Sequence, residues 1–152
     1  MKNKEFQDFL FKSAVMVMSC DGEIAESEID ELKNITENEI YLLGYEYEEP
    51  LQKLVADIKV NGKDAINKYL SEIDLLSLSP KQELILVEIL IRMIEADSII
   101  QPSEIMFLQL VKAKLKTSEE NLIVKFPKQV SYLLDTNQFG VSKEFTDEVR
   151  LN

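Results

Sequence analysis

Histidine and tryptophan are absent from this 152-residue sequence, and cysteine occurs once, at Cys20. Without histidine the commonest general acid–base is missing, and zinc and copper lose their usual nitrogen ligand. A lone cysteine cannot close an internal disulfide, so a disulfide-stapled secreted scaffold is excluded and a reducing, cytoplasmic setting is expected. Four glycines and four prolines leave little punctuation for a chain of turns and short strands. There is no glycine-rich phosphate loop, no G-x-S-x-G elbow and no dinucleotide fingerprint. Long hydrophobic runs are missing too. Leu84–Ile94 is short and carries Glu88 and Arg92, and the apolar stretch after Phe9 is broken by Lys12. Neither is expected to cross a membrane, so membrane association would come only through a partner. The residues after the first stretch, Cys20-Asp21-Gly22-Glu23, are not a small-x-small cleavage site, which argues for a core helix over a signal peptide.

Bases are also scarce: 17 against 28 acids, a formal net charge of −11. The deficit is concentrated. Residues 20–49 hold eleven acids against one base, Lys33, so that window alone contributes −10. A polyanion such as nucleic acid is a poor partner for this field, whereas cations and basic protein surfaces suit it. Within the window, Glu26, Asp30 and Glu37 fall on one side of an expected helix. They are the candidate face for binding a basic partner protein.

What remains is a globular composition, 45% apolar and 30% charged. A chain of this length forms one domain and buries roughly 70% of its unfolded surface. Helical periodicity recurs throughout. A first helix is expected over 3–19, with Phe6, Phe9, Leu10, Ala14, Val17 and Met18 inside. A second starts near Glu26, with Ile29, Leu32, Ile35 or Thr36, Ile40 and Leu43 as its stripe and Gly44 as its stop. Helices over 50–60 and 63–76 are separated by Asn61-Gly62. Ser79-Pro80-Lys81-Gln82 is a capping box with proline at the first helical position, opening a helix apolar nearly all round that should lie centrally. Its charges Glu88 and Arg92, four apart, are expected to pair. A helix over 102–116 follows, then another capping box at Thr117-Ser118-Glu119-Glu120 and a short helix. Residues 128–152 read as a C-terminal arm or tail, packed on the same domain or frayed.

Residues 21–32, DGEIAESEIDEL, laid over 97–108, DSIIQPSEIMFL, agree at six of twelve positions, 76 apart. The preceding helices match in kind. Two like units pack most simply about a pseudo-twofold axis, each covering the other's apolar face. The expected fold is therefore all-α, a compact bundle of about six or seven helices in which a helix–acidic turn–helix unit occurs twice. The units span about 5–43 and 80–116, joined by helices within 50–76, in a domain of residues 1–127. The repeated residues have structural roles open to them. Asp21 and Asp97 can accept N–H groups of the turn, helped in the first unit by Gly22. Ile24 and Ile100 can plug the corner, and Glu28 and Glu104 fall in the first turn of the next helix, where the macrodipole favours a carboxylate.

The doubled turn resembles the TerB-like tellurite-resistance family, which includes an N-terminal domain of certain membrane-anchored J-domain co-chaperones. The resemblance covers about residues 5–120 and rests on Asp21-Gly22-Glu23-Ile24 with Glu28, and on Asp97, Ile100 and Glu104. It departs from the family pattern at Ala25 and Gln101, where a capping Asp or Ser is common, and at Ser98, which replaces the turn glycine. The resemblance implies a bacterial, non-enzymatic module of stress response and scaffolding.

Two chemistries compete with that reading. In the calcium-loop register of Asp21, Gly22, Ile24 and Glu28, the opening ligand positions fall on Val17 and Ser19, or Met93 and Glu95 in the second unit, so an EF-hand lacks its first oxygen. A looser, weak divalent-cation site would draw on Asp21, Glu23, Asp97 and Glu104 if the two turns lie side by side. Otherwise no cofactor is expected, and no catalytic residue is assigned. The reading from sequence is an interaction module that docks a protein partner through its acidic face, with cation binding or sensing as the alternative.

Overall fold

The computed structural model describes residues 3–20, 24–97 and 99–134, and the structural statements that follow concern these residues. They form seven α-helices and one 3-10 turn, with no strand among them. The helices are α1 (Asn3–Met18), α2 (Glu26–Asn38), α3 (Glu48–Leu76), α4 (Pro80–Glu95), α5 (Pro102–Lys112), α6 (Glu119–Lys125) and α7 (Val130–Leu133).

Two helices make the centre. From Phe9 to Cys20 every residue except Lys12 is buried, and α4 buries Leu86, Val87, Ile89, Leu90, Ile91, Met93 and Ile94. Helices apolar on all sides have nowhere to go but the middle of a bundle, and α1 lies along α4 there. The remaining helices dress this pair: α2 packs on α4, α5 packs on both α4 and α1, and α3 packs on α1. The core is tied across three helices by aromatic contacts. Tyr69 of α3 stacks on Phe9 at 5.3 Å and on Phe107 at 5.6 Å between ring centroids. Its buried hydroxyl donates to Ser13 Oγ at 2.5 Å, and Ser13 Oγ donates to the Phe9 carbonyl at 2.8 Å. A fully buried phenol needs such a partner, since its desolvation is otherwise uncompensated.

Several helix ends follow directly from local chemistry. At α4, Gln82 N donates to Ser79 Oγ at 3.1 Å and Ser79 N donates to Gln82 Oε1 at 2.9 Å, the reciprocal capping box expected from sequence. At α3 the helical run passes through Gly62, whose φ of 40° and ψ of −110° break it into two pieces, as Asn61-Gly62 suggests. The second piece buries Ala65, Ile66, Tyr69 and Ile73, a stripe at helical spacing.

Other expectations need correcting. Helix α2 stops at Asn38, not near Gly44. Ile40 and Leu43 therefore leave the helical stripe and are 86% and 57% exposed, while Leu42 turns inward. Gly44, at φ 77°, closes the loop that follows, its N–H reaching back to the Thr36 carbonyl at 2.9 Å. Helix α5 ends at Lys112, four residues early. Ser118, not Thr117, caps α6, accepting from Asn121 N at 3.1 Å. Thr117 is taken up by the buried carboxylate of Glu83, which accepts from Thr117 N (2.8 Å), Thr117 Oγ1 (2.5 Å) and Lys116 N (3.0 Å). The expected Glu88–Arg92 pair is replaced by longer-range bonds described below.

The C-terminal segment is packed as far as Leu134. Leu122 and Leu133 are fully buried. Gln109 of α5 donates to the carbonyls of Tyr132 and Leu134, and Lys112 Nζ to that of Leu133 at 2.6 Å. These bonds satisfy carbonyls that a four-residue helix cannot satisfy itself. The remainder of the expected tail, 135–152, lies outside the described residues.

Candidate functional site

The carboxylates of residues 26–39 separate into three groups by where the fold puts them, and Glu104 repeats the first. The first group caps helices. Glu28 and Glu104 are each 3% exposed, each at the third position of its helix, and each accepts the N–H of the residue before the helix: Ala25 N at 2.9 Å and Gln101 N at 3.0 Å. Ala25 and Gln101 share extended backbone angles and supply no side-chain cap, so the glutamate does the capping at both corners. The macrodipole stabilises both charges. The corners differ in one respect. Ile24 is half-buried against the core, whereas Ile100, expected to plug its corner in the same way, is 38% exposed, with Ile99 beside it at 63%.

The second group is neutralised. Arg92, rising from the central α4, bonds Glu31 of α2 through Nε at 2.9 Å and Glu39 just past α2 through an Nη at 2.5 Å. Beside it, the Tyr41 hydroxyl donates to Glu88 at 2.8 Å. Burial alone would lower the guanidinium's pKa, but Glu39 and Glu31 outweigh it and hold Arg92 well above its ordinary value. Burial, followed by the Glu88 carboxylate, pushes the Tyr41 phenol upward. The network fastens α2 and the loop after it to the bundle's centre. Sequence inspection missed it, although the signal was present: an arginine in an apolar helix needs acids, and residues 20–49 have them in excess.

The third group faces solvent. Glu26, Asp30 and Glu37 lie on the exposed side of α2 with Lys33 among them, and none of the three has an ion-pair partner among the described residues. The contrast with Glu31 and Glu39 on the inner edge of the same segment is one of position: the inner acids meet Arg92, and the outer ones meet water.

For the other sequence-derived site residues the picture is mixed. Asp21, Gly22 and Glu23 lie outside the described residues. Asp97 is half-buried in the α4–α5 corner, and Glu104 is committed to the Gln101 amide. Among the described residues no group of three or more acidic, cysteine or histidine side chains is arranged to hold a metal ion. Cys20 is buried at the end of α1. No helix among them is long and apolar enough to cross a membrane.

A groove of about 680 Å³ opens between α1 and the start of α3, a feature sequence reading did not anticipate. Its lining is apolar at Tyr45, Pro50 and Leu54, with the fully buried Phe11 behind them, and charged at Lys4, Lys12, Lys53, Asp8, Glu46, Glu48 and Glu49. The Tyr45 hydroxyl donates to Asp8 at 2.7 Å, and Lys4 Nζ sits 4.8 Å above the Tyr45 ring. Burial, then Asp8, raises the Tyr45 phenol.

The fold is an all-α bundle. Comparison of the chain with protein-family models, with curated proteins and with solved structures finds no match in any of the three.

Proposed function

We propose that this protein is a non-enzymatic interaction module that docks a basic protein surface on the outward face of α2. The observation that carries the proposal is the sorting of charge along that helix. Glu31 and Glu39 are spent on Arg92, while Glu26, Asp30 and Glu37 remain exposed without counter-charges in ion-pair range. Like charges left facing water raise the local potential, which steers a cationic partner and sets the register in which it lands. The Arg92 network gives the face a fixed platform, so little ordering is required on binding.

The doubled corner supports placing this module with TerB-like proteins. Both corners set a buried glutamate at the third helical position against the N–H of the residue before the helix, and each outer helix reaches the other unit's inner helix, α2 packing on α4 and α5 on α1 as well as on α4. On that reading the module serves a stress-response assembly in a reducing, cytoplasmic compartment, where Cys20 remains a thiol.

The test is a pull-down from the native host with wild-type protein and with E26K/D30K/E37K. Partners retained by the wild type should be lost from the charge-reversed protein and released by moderate salt. Retention at unchanged affinity and salt dependence would remove the acidic face from the account.

A further inference from the structure

The segment after α6 is held to the bundle mainly by side chains that grip its main chain. Gln109 donates twice from its side-chain amide, to the carbonyls of Tyr132 and Leu134, and Lys112 Nζ donates to the carbonyl of Leu133 at 2.6 Å. Two side chains of the segment add to this. Leu133 is fully buried, and the Tyr132 hydroxyl donates to Glu95 at 3.1 Å. The receiving surface is one face of α5. Gln109 is 8% exposed and the Lys112 side chain 12%, and a second bond from Lys112 Nζ to Glu119 at 2.7 Å fixes the ammonium whether or not the segment is in place. Met106, one turn before Gln109 on the same face, is buried yet stands outside the continuous core that takes Phe107, Leu108 and Val111. Its cover therefore comes from the side on which α7 packs.

The segment itself is slight. It consists of the 3-10 turn Pro127–Gln129 and the four residues of α7, and Leu133 is its one buried side chain. Ordering such a stretch costs backbone entropy that one leucine and a few hydrogen bonds offset by a narrow margin, so it opens far more readily than α1 or α4. A pivot stands at its start. Phe126 leaves α6 with φ −125° and ψ 64°, and Pro127 bars the helix from continuing.

We infer that residues 127–134 are an exchangeable strap. They lift from α5 as a unit about Phe126 and Pro127 while the bundle stays folded, and the vacated face of Met106, Gln109 and Lys112 takes the same segment from a second copy of this chain. A second copy is the occupant because its segment offers the same three carbonyls, the same leucine and the same hydroxyl to the same face. Each bond broken within one copy is remade between two, so exchange costs little beyond association itself. The strap of the same copy competes as a tethered ligand at an effective concentration on the order of millimolar. The unaltered chain therefore exchanges where copies are crowded together. The contact is independent of the acidic face of α2.

The experiment mixes two full-length variants, each broken on one side of the contact. Gln109→Leu with Lys112→Met spoils the receiving face and keeps the strap, whereas Leu133→Asp spoils the strap and keeps the face. By sedimentation velocity each variant alone should be a monomer. The equimolar mixture should form a heterodimer, because no strap in the same copy competes for the one intact face. A mixture that stays monomeric while both variants keep their helical content overturns the inference, and so does a dimer formed by either variant alone. Should a variant lose its fold, amide hydrogen exchange on the unaltered protein decides. The N–H groups of Gln129 and Leu134, bonded to the carbonyls of Phe126 and Val130, should share one protection factor at least about 100-fold below those of central α4. Protection equal to that of α4 would mean that the segment opens only with the whole bundle, and the strap reading fails.

Discussion

Replacing Arg92 with methionine would keep the aliphatic stem and remove the cation that bonds Glu31 and Glu39 and so ties α2 to the bundle's centre. Arg92 is 25% exposed in its side chain, and its partners Glu31 and Glu39 are 24% and 36% exposed, so the network lies between a surface pair and a buried one. Exposed pairs are worth less than about 1 kcal/mol, and breaking a buried one costs about 3–5 kcal/mol. Two contacts at intermediate depth place the loss near 2 kcal/mol, most of it from leaving two half-buried carboxylates without a cation. For a domain of this size that corresponds to a melting temperature lower by roughly 4–8 °C. Urea denaturation of Arg92→Met, E31Q/E39Q and the combined variant closes a double-mutant cycle. Its coupling energy should be about 1–2 kcal/mol, because the triple variant no longer strands a charge. A cost for Arg92→Met below about 0.5 kcal/mol, or a coupling of zero, would show that the bonds do not hold α2 in place and refute the reasoning.

Glu83→Ala should cost about 2–4 kcal/mol in denaturant, since it leaves two backbone N–H groups and the Thr117 hydroxyl without their acceptor; a neutral result would mean water replaces it freely. Gly62→Ala should lower stability by roughly 1–3 kcal/mol because φ 40° with ψ −110° suits only glycine, whereas Gly44→Ala, at φ 77° in open space, should cost about 1 kcal/mol. Stability should also decline in alkali. Burial first, then a hydroxyl bond to Glu88 or Asp8, raises Tyr41 and Tyr45, and burial raises Tyr69 against the bond to Ser13. A phenol raised in the folded state holds its proton where the unfolded chain, near pH 10, gives it up. The folded form then binds more protons, so the stabilisation is whole below about pH 10 and lost as pH climbs toward the folded values. Ultraviolet titration should show these phenols ionising late and together with unfolding; ionisation at ordinary pH with the fold intact would contradict the burial described.

The central helices were legible because α1 and α4 are apolar on all sides, and the α4 cap because Ser79, Pro80 and Gln82 have fixed geometric roles. The end of α2 was not. Ile40 and Leu43 continue its period in sequence, but the chain leaves the helix at Glu39, where a carboxylate is drawn to Arg92, and Leu42 becomes the buried residue instead. Glu88 and Arg92 were expected to satisfy each other because only local spacing could be read. Their actual partners lie 47 and 53–61 residues away, and tertiary packing decides that. Thr117 illustrates the same point, its capping role overridden by a buried glutamate from another helix. Residues on either side of the groove, Lys4 to Lys12 and Tyr45 to Leu54, carry no motif, and only the packing of α1 on α3 brings them together.

The most direct measurement of the central claim is calorimetric titration of the purified partner into wild-type protein and into E26K/D30K/E37K at two ionic strengths. Docking on the α2 face predicts wild-type affinity that weakens as salt rises, and a reversed-charge variant that binds at least about tenfold more weakly at low salt with a flattened salt dependence. Equal affinities with equal salt slopes would contradict it.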